Sequence, residues 1–165
     1  MKAIDIIQSK IFDNAQALEP VLNQWRQSGQ EVVFTNGCFD LVHRGHIDSL
    51  AKAAAIGDRL IVGLNSDASV KLLKGQNRPL IDQQSRAILL ASLLMVDAVV
   101  IFDEVTPYEL IRSIQPQVLA KGSEYQMEEI AGFDIVLASG GRVERIDLTK
   151  GFSTTELIQK IKDNF

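Results

Sequence analysis

The chain has 165 residues, of which 46% are hydrophobic and 23% are charged, which is enough to bury the core of one globular domain. Its net charge of -4 excludes the broad basic surface with which many proteins bind nucleic acid. The single cysteine, Cys38, excludes an internal disulfide and a cysteine-based zinc site, and it favours a reducing compartment.

The N-terminus, MKAIDIIQSK, lacks the apolar segment and the cleavage pattern of a secretory signal. No stretch reaches the roughly 18 apolar residues that a membrane-spanning helix needs. We therefore expect a soluble, cytoplasmic protein that interacts with neither a membrane nor nucleic acid.

Residues 1–30 are expected to form a helical extension that packs on the main domain. Four apolar residues in this segment recur with the spacing of one helix face: Leu18, Val21, Leu22 and Trp25. Asp13 is the predicted N-cap of this helix, and Gly29 is its predicted end.

Residues 31–165 alternate between predicted strands and helices. The predicted strands cover residues 31–35, 59–64, 98–102, 118–120, 134–138 and 142–146. The predicted helices cover residues 45–56, 66–73, 82–95, a segment after Thr106-Pro107, and 153–162. Continuously apolar strands that alternate with helices are typical of an α/β fold, with a mainly parallel sheet of about five strands covered on both faces. Ligands bind such sheets at the carboxyl ends of the strands.

The segment after the first predicted β-strand of this domain reads T-N-G-C-F-D-L-V-H-R-G-H, from Thr35 to His46. It contains both histidines of the chain, His43 and His46, at the start of a predicted helix. Imidazole can donate a hydrogen bond to a phosphate oxygen, and a helix start adds free N–H groups. Gly45 would let a phosphate approach the backbone. This pattern favours an anion site over zinc, which needs more ligands, although the histidines could also simply cap the helix.

The same segment resembles the signature of the cytidylyltransferase-like nucleotidyltransferases, which are Rossmann-like enzymes with three α/β/α layers and an H-x-G-H motif. The resemblance implies that His43 and His46 act on phosphate oxygens in catalysis. It also implies a nucleotide site lined by Thr35, Asn36, Gly37, Cys38, Phe39 and Gly45. The P-loop and G-x-G-x-x-G patterns of other nucleotide-binding proteins are absent. Asp40, in the same loop, could orient either a loop or a histidine.

A second motif, Lys150-Gly-Phe-Ser-Thr-Thr-Glu156, precedes the last predicted helix. Ser153 and Glu156 have the spacing of a capping box. The stretch G-F-S-T-T also resembles the second signature of the same family. That resemblance implies that Ser153, Thr154 and Thr155 bind the β- and γ-phosphates at the helix start. Leu148 stands where glycerol-3-phosphate-type cytidylyltransferases carry arginine, which counts against that branch.

Three further patches resemble the D-glycero-β-D-manno-heptose 1-phosphate adenylyltransferases, and with the two signatures the likeness covers about residues 31–165. The first is Leu64-Asn-Ser-Asp-Ala-Ser69. The second is Leu73-Lys-Gly75 with Asn77-Arg-Pro79, followed by Arg86 on the next helix. The third is Ala120-Lys-Gly-Ser-Glu-Tyr125, followed by Glu128-Glu-Ile-Ala-Gly132. The resemblance implies that Lys74 and Arg86 contact the triphosphate or the sugar phosphate. It also implies that Lys121, Gly122 and Glu124 bind the nucleotide, although aspartate is usual at the position of Glu124. Each basic residue, including Lys71 and Arg78, could instead be a solvated surface charge.

The implied reaction transfers AMP from ATP to heptose 1-phosphate and releases ADP-heptose and pyrophosphate, for synthesis of the lipopolysaccharide core precursor. Mg²⁺ would be held mainly by the triphosphate rather than by protein ligands. The chain would bind only small-molecule substrates and would form a homodimer or a higher homo-oligomer. Two alternatives remain open. One is a cytidylyltransferase acting on glycerol 3-phosphate or another polyol or amino-alcohol phosphate, and the other is a non-catalytic nucleotide-binding sensor.

Overall fold

A computed structural model describes residues 2–164. Within this range the strands are β1 Ile11–Phe12, β2 Val32–Gly37, β3 Arg59–Asn65, β4 Ala98–Phe102, β5 Val118–Gly122 and β6 Arg142–Ile146. The α-helices are α1 Ala3–Gln8, α2 Ala15–Gln27, α3 Arg44–Ala54, α4 Asp67–Lys74, α5 Gln83–Ala91, α6 Tyr108–Ile114, α7 Phe133–Ala138 and α8 Thr154–Asn164. A short 3₁₀ helix covers Met127–Glu129. None of the helices in residues 2–164 combines the length and apolar character needed to cross a membrane.

The strands form one sheet in the order β1-β4-β3-β2-β5-β6, and every neighbouring pair is parallel. The predicted Rossmann-like α/β fold is confirmed, with six strands rather than about five. From β2 the chain proceeds outward to β3 and β4, and it then returns to β5 on the other side of β2. The strand order therefore reverses between β2 and β5, where such folds bind their ligands.

Both faces of the sheet are covered, as the continuously apolar strands predicted. In β2, Phe34 belongs to the core cluster on one face, which includes Ile61, while Val33 belongs to the cluster on the other face, which includes Leu60 and Leu90. The two clusters hold the carboxyl ends of β2 and β5 in a fixed register, because each face is packed by side chains from both strands and helices.

The N-terminal segment belongs to the same structural unit as the rest of the chain. Ile11 of β1 pairs with Val99 of β4, which adds the sixth strand to the sheet. Leu18 and Trp25 of α2 lie in the core cluster that contains Phe34. A boundary at residue 30 thus separates no independent core. The N-cap of α2 is Asn14 rather than the predicted Asp13, because the Asn14 side chain accepts the N–H of Ala17.

The predicted strand at residues 134–138 is wrong, because this segment forms helix α7. Phe133 and Val136, three residues apart, both pack against the core, whereas Leu137 is exposed. In a strand, Leu137 would share the face of Phe133, so the observed burial follows the helical period. A short apolar run does not distinguish a buried strand from one helical turn by periodicity alone. The other predicted helices and strands of residues 31–165 agree with the structure to within a few residues at their ends.

Candidate functional site

The loop that follows β2 lies at the point where the strand order reverses. We call residues 38–43 the histidine loop. They connect β2 to α3, and Gly122 and the residues after it leave β5 beside them. The structure therefore brings the predicted residues of the first motif and those around Lys121 to one edge of the sheet.

His43 and His46 are held together at the start of α3. His43 is the N-cap residue and His46 lies in the first turn, so their rings stack with centroids 3.9 Å apart and planes inclined by 20°. The backbone N–H of His43 donates to Nδ1 of His46 at 3.4 Å. Because Nδ1 accepts, the proton of a neutral His46 is carried on Nε2, which can act as a donor.

Burial lowers the pKa of His46 to about 4; the nearby His43 contributes to this shift, and the Leu41 carbonyl opposes it. His46 is therefore neutral at neutral pH and donates without carrying a charge. Two buried polar atoms of this region, Nδ1 of His43 and Oδ1 of Asn36, have no hydrogen-bond partner among residues 2–164. Unpaired buried polar atoms are uncommon in folded proteins, and here one belongs to His43, predicted to act in catalysis, and the other to Asn36, predicted to bind the nucleotide.

Gly45 is the point where the C-terminal part of the chain approaches the histidines. A Cβ at Gly45 would lie 2.9 Å from Cβ of Phe152 and 3.1 Å from the His43 ring. The Phe152 ring centroid is 6.3 Å from that of His43, and Thr154 Oγ1 donates to the Leu41 carbonyl at 3.4 Å. The start of α8 therefore lies beside the start of α3, next to the two histidines.

The C-terminal loop, residues 147–153, is attached to α3 by polar contacts. Thr149 Oγ1 donates to Asp48 at 3.0 Å, and Lys52 Nζ donates to the Asp147 carbonyl at 2.6 Å. At the end of this loop Ser153 Oγ accepts the N–H of Glu156 at 3.4 Å, so it occupies the predicted capping position. Thr155 is exposed at the first turn of α8.

Arg86 lies beneath the histidine loop rather than at its surface, with only 1% of its surface exposed. Its guanidinium donates to four acceptors within the described part of the chain. These are the carbonyls of Ile81, Cys38 and Asn65 at 2.9, 2.6 and 2.8 Å and the Asp67 carboxylate at 2.7 Å. Four of its five N–H groups are thus engaged by protein atoms. This placement assigns Arg86 to holding the loops in position and gives no support to a direct contact with phosphate.

Several cations surround Cys38. Burial raises the pKa of the Cys38 thiol, and the charges of Lys74, Arg86 and Arg78 oppose that change. Lys74 is exposed at the end of α4. Lys121, at the end of β5, has its pKa lowered by burial against the effect of Glu124 and Cys38. The thiol is therefore protonated at neutral pH, and the region presents positive charge rather than a nucleophile.

The segment after β5 folds over itself at Lys121. The ammonium nitrogen of Lys121 lies 5.4 Å from the Tyr125 ring centroid, and the Glu124 carboxylate covers Gly122 so closely that a side chain at Gly122 would collide with it. The glycine leaves space for the longer carboxylate of Glu124, and a side chain at position 122 would require that carboxylate to move.

The role of Arg78 was missed by the sequence reasoning. Asp40 is 2% exposed, and its Oδ1 accepts the N–H groups of Leu80 and Ile81 at 2.8 and 3.0 Å. Its Oδ2 accepts Nε of Arg78 at 2.5 Å. Asp40 therefore orders the α4–α5 loop, residues 75–82, which settles its role as one of orienting a loop. The partners are 38 residues apart in sequence, so no local spacing could reveal this contact.

No group of three or more His, Cys, Asp or Glu side chains in residues 2–164 is arranged to hold a metal ion.

Comparison with known proteins agrees with this geometry. The profile of the cytidylyltransferase-like family matches residues 34–160. The bifunctional protein HldE of Syntrophotalea carbinolica is 53% identical over 150 residues, which cover 91% of this chain and 31% of that protein. The bifunctional protein HldE of Caulobacter vibrioides is also 53% identical, over 152 residues, which again cover 31% of that protein. The chain thus spans about a third of the length of these curated relatives.

Two solved structures share the fold. A lipopolysaccharide core biosynthesis protein from Thermoplasma volcanium superimposes with a TM-score of 0.61 and 25% identity, over 75% of this chain and 100% of that one. A pantoate-β-alanine ligase from Francisella tularensis, complexed with a β,γ-type ATP ligand and β-alanine, has a TM-score of 0.58 and 17% identity. The match covers 93% of this chain and 77% of that chain. The second likeness concerns the fold alone. Since the family profile covers most of the chain and includes H-x-G-H at residues 43–46, the chain belongs to the cytidylyltransferase-like family of nucleotidyltransferases.

Proposed function

We propose that the chain transfers AMP from ATP to D-glycero-β-D-manno-heptose 1-phosphate, giving ADP-heptose and pyrophosphate for lipopolysaccharide core synthesis. The observation that carries the chemistry is the stacked pair His43 and His46 next to the start of α8, at the reversal of strand order. The choice of substrate is supported by the K-G-S-E-Y stretch at the end of β5 and by the name of the Thermoplasma volcanium neighbour, a lipopolysaccharide core biosynthesis protein.

In the proposed reaction an ionised oxygen of the sugar phosphate attacks the α-phosphorus of ATP. A new P–O bond forms as the bond to the bridging oxygen breaks, and pyrophosphate leaves with that electron pair. The nucleophile is already ionised at neutral pH, so the protein needs no general base. Its task is to align the two substrates and to stabilise charge on the α-phosphate oxygens. The neutral His46 donates from Nε2 to such an oxygen, with His43 beside it.

The β- and γ-phosphates bind at the start of α8, where Ser153, Thr154 and Thr155 add hydroxyls to the free N–H groups of the helix. Lys74 supplies a mobile charge close to the reacting phosphates, and Arg86 fixes the loop that carries the histidines. The nucleoside lies along Thr35–Phe39, and the segment containing Lys121, Gly122 and Glu124 contacts it. Gly45 leaves space where the two helix starts approach each other.

ATP enters as its Mg²⁺ complex, with the metal bound mainly by phosphate oxygens and water, as is usual for this ion. We place the reaction in the cytoplasm, where ATP is available and the thiol of Cys38 stays reduced. We also propose that the chain forms a homodimer or a higher homo-oligomer.

Pyrophosphate release from ATP and CTP, each with heptose 1-phosphate and glycerol 3-phosphate, tests the function directly, with His46→Ala as the inactive control. We expect the highest kcat/KM for ATP with heptose 1-phosphate and a sugar nucleotide as product by mass spectrometry. A higher kcat/KM for CTP would contradict the substrate assignment. Nucleotide binding with no pyrophosphate release from any pair would instead identify a sensor.

A further inference from the structure

The α4–α5 loop carries an arginine that is held by only one of its nitrogen atoms. Nε of Arg78 donates to Asp40, whose side chain is 1% exposed, while 20% of the Arg78 side chain is exposed. Within residues 2–164 neither terminal nitrogen of Arg78, Nη1 or Nη2, has a hydrogen-bond or ion-pair partner. Asp40 therefore fixes the direction of the guanidinium and leaves its four terminal N–H groups available.

Arg78 lies on the side of the histidine loop opposite to the start of α8. The α4–α5 loop joins elements that flank β3 and β4, whereas the C-terminal loop follows β6 at the far side of β2 and β5. Asp40 contacts the first of these loops, Gly45 lies against Phe152 of the second, and Leu41 accepts a hydrogen bond from Thr154 at the start of α8. A phosphate chain that runs from the start of α8 to the histidines leaves the Arg78 side to the other reactant.

The charge on that side is not neutralised by neighbouring carboxylates. Asp40 balances one cation, Arg78, and Asp67 balances Arg86, but Lys74 has no ion-pair partner within the described residues. The charges of Lys74 and Arg78 both act on the Cys38 thiol, so they converge on the histidine loop. The surplus positive charge suits a dianionic phosphate ester.

We propose that Arg78, aligned by the buried carboxylate of Asp40, binds the phosphate of the acceptor substrate through Nη1 and Nη2 and presents its oxygen to the α-phosphorus. This inference rests on the proposed function, which supplies a phosphorylated acceptor. A guanidinium with Nε fixed presents its terminal edge in one plane, which matches two phosphate oxygens in a bidentate contact. Asp40 is then a positioning residue, since it acts on the substrate only through Arg78.

The test compares KM for the acceptor with KM for ATP in purified full-length protein. Arg78→Gln should raise the acceptor KM about 10-fold to 100-fold, the range for loss of a charge-assisted contact, and change the ATP KM less than about twofold. Arg78→Lys keeps the charge but loses the planar contact, so its acceptor KM should lie between that of the wild type and that of Arg78→Gln. Lys71→Gln removes a charge from the exposed surface of neighbouring α4 and should leave both constants unchanged. An unchanged acceptor KM, or an equal rise in both constants, would overturn the proposal.

Asp40→Asn separates a positioning role from a purely structural one. In the wild-type background it should raise the acceptor KM, because the guanidinium loses its fixed direction. In the Arg78→Gln background it should add little to the acceptor KM, since its effect passes through Arg78. Equal effects of Asp40→Asn in both backgrounds would show that Asp40 acts only on the fold of the loop.

Measurements with other phosphate esters and with inorganic phosphate test the role of Arg78 independently of the choice of substrate. If the wild type uses another phosphate ester, the same comparison is made with that ester, and only the heptose assignment fails. If no acceptor is turned over, inorganic phosphate is titrated calorimetrically into protein saturated with an ATP analogue that has a methylene bridge between the α- and β-phosphorus. Phosphate binding that Arg78→Gln abolishes would support the site. Binding that is absent in the wild type, or retained in Arg78→Gln, would refute it.

Discussion

The histidine loop and the C-terminal loop lie next to each other but are attached to the protein in different ways. The histidine loop is fixed from below by Arg86, which donates to the Cys38 carbonyl, and from the side by the buried Asp40. The start of α8 is linked to the rest of the chain by Thr154, by Phe152 against Gly45, and by a few polar contacts. No residue of Thr154–Asn164 is buried.

This difference separates two tasks in the proposed reaction. Groups that stabilise transition-state charge must be held in place before the substrates arrive, and buried hydrogen bonds supply that rigidity. The group that binds pyrophosphate must also release it, and a segment with little buried surface opens at a low free-energy cost. Changes beneath the histidine loop should therefore alter stability or kcat, whereas changes at the start of α8 should alter the KM for ATP.

The largest effect is expected for Arg86→Met. The substitution leaves the buried carbonyls of Cys38 and Asn65 without donors, and it removes the partner of Asp67. Loss of one partner of a buried charge network costs about 3–5 kcal/mol of unfolding free energy, measurable by urea denaturation. Arg44→Met is the control, because Arg44 starts α3 but its side chain is 72% exposed, so its loss should cost less than about 1 kcal/mol. Similar losses in both variants would contradict the supporting role of Arg86.

The next effect concerns the chemistry alone. His46→Ala removes a donor that is aimed at the reacting phosphate, so kcat should fall by at least ~100-fold, the scale for one such donor in a transition state. The kcat of His43→Ala should fall by a similar factor. The fold should persist, because both side chains are only partly buried and belong to neither core cluster, and circular dichroism checks this. Turnover close to that of the wild type in a folded His46→Ala protein would remove the histidines from the mechanism.

Much of this difference between the loops was hidden in the sequence. Five of the six strands, the H-x-G-H motif and the S-T-T motif were predictable, because each is encoded by neighbouring residues, whereas the two-residue β1 was missed and residues 134–138 form a helix. The support of the histidine loop was not, since Arg86 and Cys38 are 48 residues apart and Arg78 and Asp40 are 38 apart. The family resemblance implied that Arg86 contacts a phosphate, and the residues next to it in sequence give no sign that it is buried. Its burial follows from four acceptors that only the folded chain brings together.

A smaller effect follows from the low pKa of His46. Burial, helped by the nearby His43, lowers this pKa to about 4, below the ordinary value of 6.5. Between these values the unfolded chain binds a proton that the folded chain does not, so lowering the pH favours unfolding. The stability that the neutral, partly buried His46 contributes to the folded protein is fully present above pH 6.5 and is lost as the pH falls towards 4.

His46→Gln tests this contribution, because glutamine does not titrate. The stability of the wild type should fall more steeply than that of His46→Gln between pH 6.5 and 4, as measured by thermal melts across that range. The carboxylates titrate in both proteins and cancel in the difference. Parallel curves would show that His46 is protonated as readily in the folded protein as in the unfolded chain.

The smallest effects should separate the two hydroxyl roles at the start of α8. Ser153 Oγ accepts the Glu156 N–H, so Ser153→Ala should lower the melting temperature through loss of a helix cap, which is worth about 1 kcal/mol. Thr155 is exposed and free to meet the triphosphate, but the helix N–H groups remain when its hydroxyl is removed. Thr155→Ala should therefore raise the KM for ATP only about threefold to tenfold, with the acceptor KM unchanged. Gln159→Ala, further along the exposed helix, serves as the control for both constants. A Thr155→Ala enzyme with normal ATP KM but a higher acceptor KM would place the triphosphate on the Arg78 side of the histidines and reverse the assignment of the two loops.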